Sequence, residues 1–115
     1  MKYALLIYGN EANAPTADDG AVYRISPAYE AYMAEMRKAG VIVGGERLRP
    51  TASATTVRTA GGKTQVLDGP YAETKEQLAG YYLIDVPDLD AALSWAARCP
   101  GASTGAIEVR PIWTR

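Results

Sequence analysis

Asp68-Gly-Pro-Tyr-Ala-Glu-Thr-Lys-Glu-Gln-Leu-Ala-Gly-Tyr-Tyr-Leu-Ile-Asp85 runs from a turn, through a charged segment, into a buried strand without a gap. Tyr81 to Val86 is apolar enough to be a central strand. Asp68, Glu73, Lys75 and Glu76 crowd into the nine residues that begin at Asp68, so polar groups are expected at the end of a rigid element. That placement suits a pocket and makes this stretch the first candidate site of the chain.

Upstream, Lys2 to Tyr8 reads as an opening strand, followed by a polar loop from Gly9 to about Ile25 that is long for so small a domain. Ser26-Pro27 is a helix start, with Ser as N-cap and Pro at the first helical position. Tyr29, Tyr32, Met33 and Met36 then recur at helical spacing until Gly40 supplies the stop. Val41 to Leu48 resumes strand character around Gly44-Gly45, a pair that suggests a bulge or a close approach of backbone or ligand. Ala54 to Thr59 and Thr64 to Leu67 are short β-branched runs about Gly61-Gly62, a hairpin signal, and Asp68-Gly69-Pro70 ends the second.

Tyr71 to Ala79 reads as a loop with one helical turn before the strand Gly80 to Val86. Asp88 caps a second helix with a narrow apolar stripe of Leu89, Ala92, Leu93, Ala96 and Ala97, ending near Cys99-Pro100-Gly101. Ile107 to Ile112 closes the chain as a strand, with Ile107 and Val109 on one face and Glu108 and Arg110 on the other. Strand, helix, strand, hairpin, strand, helix, strand is the order of a ferredoxin-like α+β sandwich with two main helices on one face of an antiparallel sheet and a β-hairpin insert. The other face of the sheet needs a cover in a soluble protein, and a second copy about a two-fold axis is the natural one.

The chain of 115 residues is read as a single domain, residues 1-115. A net charge of -1 with scattered arginines argues against direct nucleic-acid binding. A lone cysteine, Cys99, excludes an internal disulfide and points to a reducing cytoplasm. The apolar start is too short for a signal or a membrane span. Tyrosine occurs eight times and phenylalanine not at all, so core aromatic rings bring hydroxyls that need a partner or a route to solvent.

Asp68-Gly69-Pro70-Tyr71-Ala72-Glu73-Thr74-Lys75-Glu76 resembles the signature of the DGPF branch of the YCII-related family, with Tyr in place of Phe. The resemblance extends through Gly44-Gly45-Glu46-Arg47-Leu48, Thr55-Thr56-Val57-Arg58, Tyr81-Tyr82-Leu83-Ile84, the Pro87 to Cys99 helix and Glu108-Val109-Arg110-Pro111. It implies a homodimer of the dimeric α/β barrel type. It also implies association of some members with extracytoplasmic-function sigma factors, and in other branches a lyase using a His-Asp pair. This chain has no histidine, so that mechanism does not carry over, and acid-base work falls to carboxylates or tyrosines.

Asp68 and Glu73 are the candidate catalytic residues, and Glu46, Arg58, Gly69, Pro70, Tyr71, Glu76 and Tyr81 the candidate ligand contacts. Each has a plainer reading beside it. Asp-Gly-Pro is also turn chemistry, in which the Asp side chain bonds backbone amides two residues on. Glu73, Lys75 and Glu76 also suit a solvated face. Glu46 beside two glycines has a claim to a cleft, because bare backbone lets a ligand come near. Only one of Tyr81 and Tyr82 can face the helices. With no histidine, one cysteine and no spaced acidic cluster, neither a metal nor another cofactor is expected. Cys99, at the negative end of a helix dipole, reads as inert core. The expected function is a lyase- or isomerase-type reaction on a small polar metabolite, or alternatively a binding or regulatory module that acts through protein contacts such as a sigma factor.

Overall fold

The structure is a computed structural model that describes residues 1–13 and 25–114. Eight main elements follow one another: β1 (Lys2–Gly9), α1 (Pro27–Ala39), β2 (Ile42–Arg47), β3 (Thr55–Ala60), β4 (Lys63–Asp68), β5 (Gln77–Asp85), α2 (Leu89–Arg98) and β6 (Ala106–Pro111). Strands β2, β5, β1 and β6 form one antiparallel sheet in that order, and β3 pairs only with β4. The result is an α+β architecture compatible with a ferredoxin-like fold. Most of the expected Gly9 to Ile25 loop lies outside the described residues.

Local chemistry sets the ends of both helices. Ser26 Oγ accepts from the Tyr29 N–H at 3.3 Å, Pro27 opens α1, and Gly40 closes it with φ 71°, donating its N–H to the Arg37 carbonyl at 3.0 Å. Asp88 Oδ1 accepts from the Ala91 N–H at 2.9 Å at the start of α2. The helices bury Tyr32, Met36, Ala92 and Ala96 against Tyr3, Leu5, Tyr82 and Ile84 of the two central strands. Tyr82 is the inward member of its pair and meets Tyr32 edge to face at 5.7 Å.

Two expectations need correction. The stripe on α2 is rotated: Ala92 and Ala96 are buried, but Leu89 and Leu93 are 48% and 46% exposed. Trp95 and Cys99 complete the inner face, because the small alanines let α2 lie close enough for Tyr32 to donate its hydroxyl to the Trp95 carbonyl at 2.7 Å. No helical turn forms between Tyr71 and Ala79; the segment is bent chain, and β5 begins already at Gln77. The bulge expected at Gly44-Gly45 is present as a register shift between Ile42 and Gly44 against β5. The close approach at Gly45 is made by the protein itself, since a Cβ there would lie 2.5 Å from the Tyr82 ring and 2.7 Å from the Tyr81 carbonyl oxygen.

Candidate functional site

Alternation sends the odd residues of β1 toward the helices and leaves Ala4, Leu6 and Tyr8 on the opposite face of the sheet. Register then builds that face in rows. Glu46 pairs with Tyr81, Tyr81 with Leu6, and Leu6 with Glu108, so two carboxylates flank an aromatic and aliphatic centre. The next row is Gly44, Leu83, Ala4 and Arg110. Open space lies over Gly44, where an added Cβ meets nothing within 4 Å. Among the described residues no helix covers these rows, and Leu6, Tyr8, Tyr81 and Leu83 are only partly buried.

The two glutamates differ in their surroundings. Glu108 Oε1 accepts from the Tyr8 hydroxyl at 3.5 Å, and Glu108 Oε2 lies 3.2 Å from Arg110 Nε. Glu46 is exposed, and among the described residues no hydrogen bond or ion pair engages its carboxylate. A paired carboxylate is held in place, whereas one without a partner among the described residues is open to a ligand.

The turn residues form a second group, on the hairpin. Gly69 has φ 105°, donates its N–H to the Ala54 carbonyl at 2.7 Å, and accepts the Thr56 hydroxyl at 2.8 Å on its own carbonyl. These bonds close the hairpin base without the Asp68 side chain, which is exposed and makes no hydrogen bond or ion pair among the described residues. The expected side-chain turn bond is therefore absent. Directly opposed strand residues share a face, so Asp68 lies with Thr55, Val57 and Val66, while Arg58 lies with Gln65 on the reverse side. There the Arg58 guanidinium sits 4.5 Å above the Tyr71 ring.

Within one chain, then, the candidate residues fall into two groups that no described contact joins. Glu46 and Tyr81 meet on the sheet; Asp68, Gly69, Pro70, Tyr71 and Arg58 belong to the hairpin. Glu73 and Glu76 are exposed in the bent segment between them, and Thr74 ties that segment through its hydroxyl to the Glu76 carbonyl. Arg110 is the partner of Glu108, on the sheet and away from this segment.

Sequence reasoning missed a clamp at the strand ends beside Tyr8. The Glu11 carboxylate accepts the Thr51 N–H and the Thr51 hydroxyl, both at 2.7 Å, and the Glu11 N–H donates to Gln77 Oε1 at 2.9 Å. The segments that follow β1 and β2 are thereby fastened to each other and to the start of β5. With 40 positions between Glu11 and Thr51, no local pattern announces the bond. Cys99 is buried and donates to the Tyr29 hydroxyl at 3.7 Å, and burial pushes its thiol up, away from a reactive thiolate.

Comparison with known proteins completes the picture. The model of the YCII-related domain matches residues 1–114. An uncharacterised protein of Rhizobium meliloti (strain 1021) is 44% identical over 117 residues, an alignment that covers 97% of this chain and 92% of the relative. A match along nearly the full length, over both the sheet and the hairpin, shows that this chain belongs to the YCII-related family.

Proposed function

We propose that this protein is a homodimer of the dimeric α/β barrel type that binds a small polar metabolite on the open face of its sheet and performs lyase- or isomerase-type acid-base chemistry there. The observation that carries this reading is the row Glu46, Tyr81, Leu6, Glu108 on a face that, among the described residues, no helix covers. Three gaps of roughly 4.8 Å separate the ends of the row, leaving about 14 Å between the glutamate backbones. A ring-sized ligand fits between carboxylates reaching inward over Tyr81 and Leu6. Glu46, unpaired among the described residues, takes the proton; Glu108, held by Tyr8 and Arg110, orients the ligand. Asp68 and Glu73 stand outside this row in a single chain, so Glu46 ranks ahead of them here. The Asp68-Gly69-Pro70-Tyr71 stretch supports a place in the DGPF branch, and the lone buried Cys99 supports work in the reducing cytoplasm. Among the described residues, no helix is long and apolar enough to cross a membrane.

A second reading rests on the exposure of Asp68, Glu73, Lys75 and Glu76 together with Tyr71, 72% exposed: a regulatory module whose loop docks on a protein such as a sigma factor. Thermal-shift measurements separate the two. Wild type, Glu46→Gln and Asp68→Asn are screened against small carboxylic acids, phenols and lactones, where a ligand at a hundred times its dissociation constant adds about 2.7 kcal/mol. The enzyme reading expects a compound that stabilises wild type and loses its effect in Glu46→Gln. No response from any compound favours the regulatory module.

A further inference from the structure

The hairpin cannot be at rest in water as the isolated chain presents it. Of its strand residues only Thr56 is partly covered, and Val57, Val66 and Leu67 are 60%, 63% and 55% exposed. A lone two-stranded hairpin is marginally stable at best, because neither face buries enough to offset the ordering of its backbone. The β-branched face, with Val57 opposite Val66 and Thr59 bonded to Thr64 at 3.1 Å, is built to pack on something flat.

Among the described residues the same chain leaves a second flat surface without a covering helix, the outer face of its sheet, with Leu6, Tyr81 and Leu83 at its centre. From this we infer that the hairpin is an exchanged arm: β3 and β4 of each protomer lie across the open sheet face of a second copy and bring Asp68 to the partner's site. The inference rests on the dimer proposed above.

Dimensions and area select a second copy as the occupant. Six residues per strand give an arm of about 20 Å, against a sheet about 14 Å wide between its outer strands. Ahead of Asp68 the docking face of the arm, Thr55, Val57, Thr59, Thr64 and Val66, carries no charge and suits the Tyr81 and Leu6 centre of the row it would cross, while Arg58 and Lys63 lie on the reverse side. The accessible surface of the chain is 8438 Å², and a compact monomer of 12.3 kDa exposes about 6,100 Å². The excess of roughly 2,300 Å² is ample for the about 800 Å² per partner that a standard interface covers. Because Asp68 shares the Val57 and Val66 face, docking carries its free carboxylate onto the partner's sheet and leaves Arg58 and Tyr71 outside.

The test uses the full chain. Sedimentation velocity is run on wild type and on the double variant Val57→Lys, Val66→Lys, whose changed side chains are solvent-facing in the isolated protomer and leave its fold, checked by circular dichroism, intact. In parallel, a Val66→Cys chain and a differently tagged Leu6→Cys chain are mixed and treated with a short bismaleimide. A dimeric wild type, a lysine variant that sediments with the 12.3 kDa mass of one chain, and a cross-link joining the two tags are expected. A dimeric lysine variant with no inter-tag cross-link overturns the exchanged arm while leaving the dimer standing. A monomeric wild type overturns both.

Discussion

Glu46 and Glu108 show how neighbours divide labour between like side chains. Glu46→Gln changes an exposed group, so stability should stay within about 0.5 kcal/mol of wild type while ligand-induced stabilisation disappears, both read from one set of melting curves. The buried hydroxyls act on stability instead. Burial, and next the proximity of Cys99, raises the Tyr29 and Tyr32 hydroxyls above the ordinary tyrosine range. A proton held more tightly in the folded than in the unfolded chain stabilises the fold fully below the unfolded value of about 10, and that contribution is lost as the pH rises above it. Denaturant unfolding between about pH 9 and about pH 12 should therefore show falling stability in wild type and a shallower fall in Tyr32→Phe. At neutral pH that variant should start about 1 kcal/mol lower, having lost the bond to the Trp95 carbonyl. An equal slope in both proteins would contradict this account.

At the scale of elements, the glycine pair in β2 offers the sharpest contrast. Gly45→Ala drives a methyl into the Tyr82 ring and the Tyr81 carbonyl and should cost about 1–3 kcal/mol, whereas Gly44→Ala points into open space and should cost far less in denaturant unfolding. The strand-end clamp makes a second prediction. Glu11→Ala removes two bonds to Thr51 and should lower stability by about 1.5–3 kcal/mol; a loss equal to that of an ordinary surface substitution would deny the clamp its role. These elements also mark how far the sequence could be read. Ser26-Pro27, Gly40 and Asp88 announce the helix ends because capping is local, and alternation in β6 assigns Ile107 and Val109 inward for the same reason. The turn at Gly61-Gly62 carries enough information to separate Asp68 from Arg58, since register about a two-residue turn decides which residues share a face. The rotation of α2 was hidden, because alanine and leucine both suit a stripe and only the approach of Tyr32 and Trp95 chooses between them. Glu11 and Thr51 were hidden by distance along the chain. Glu46 was legible as a candidate, but its row with Tyr81, Leu6 and Glu108 depends on strand order.

For the molecule as a whole, the radius of gyration of 15.9 Å exceeds the about 13 Å expected of a compact domain of this length, in keeping with an arm that stands away from its own core. Among the described residues one protomer then holds a sheet face that no helix covers and an exposed arm, and the proposed dimer would supply each with the other. Asp68 and Glu46, both candidates from the sequence, would then meet only between chains. Amide hydrogen exchange across a range of protein concentrations tests this most directly. The account predicts slow exchange of the β3 and β4 amides at high concentration, accelerating together as dilution separates the protomers. Exchange of those amides at the rate of an unprotected peptide at every concentration would contradict it.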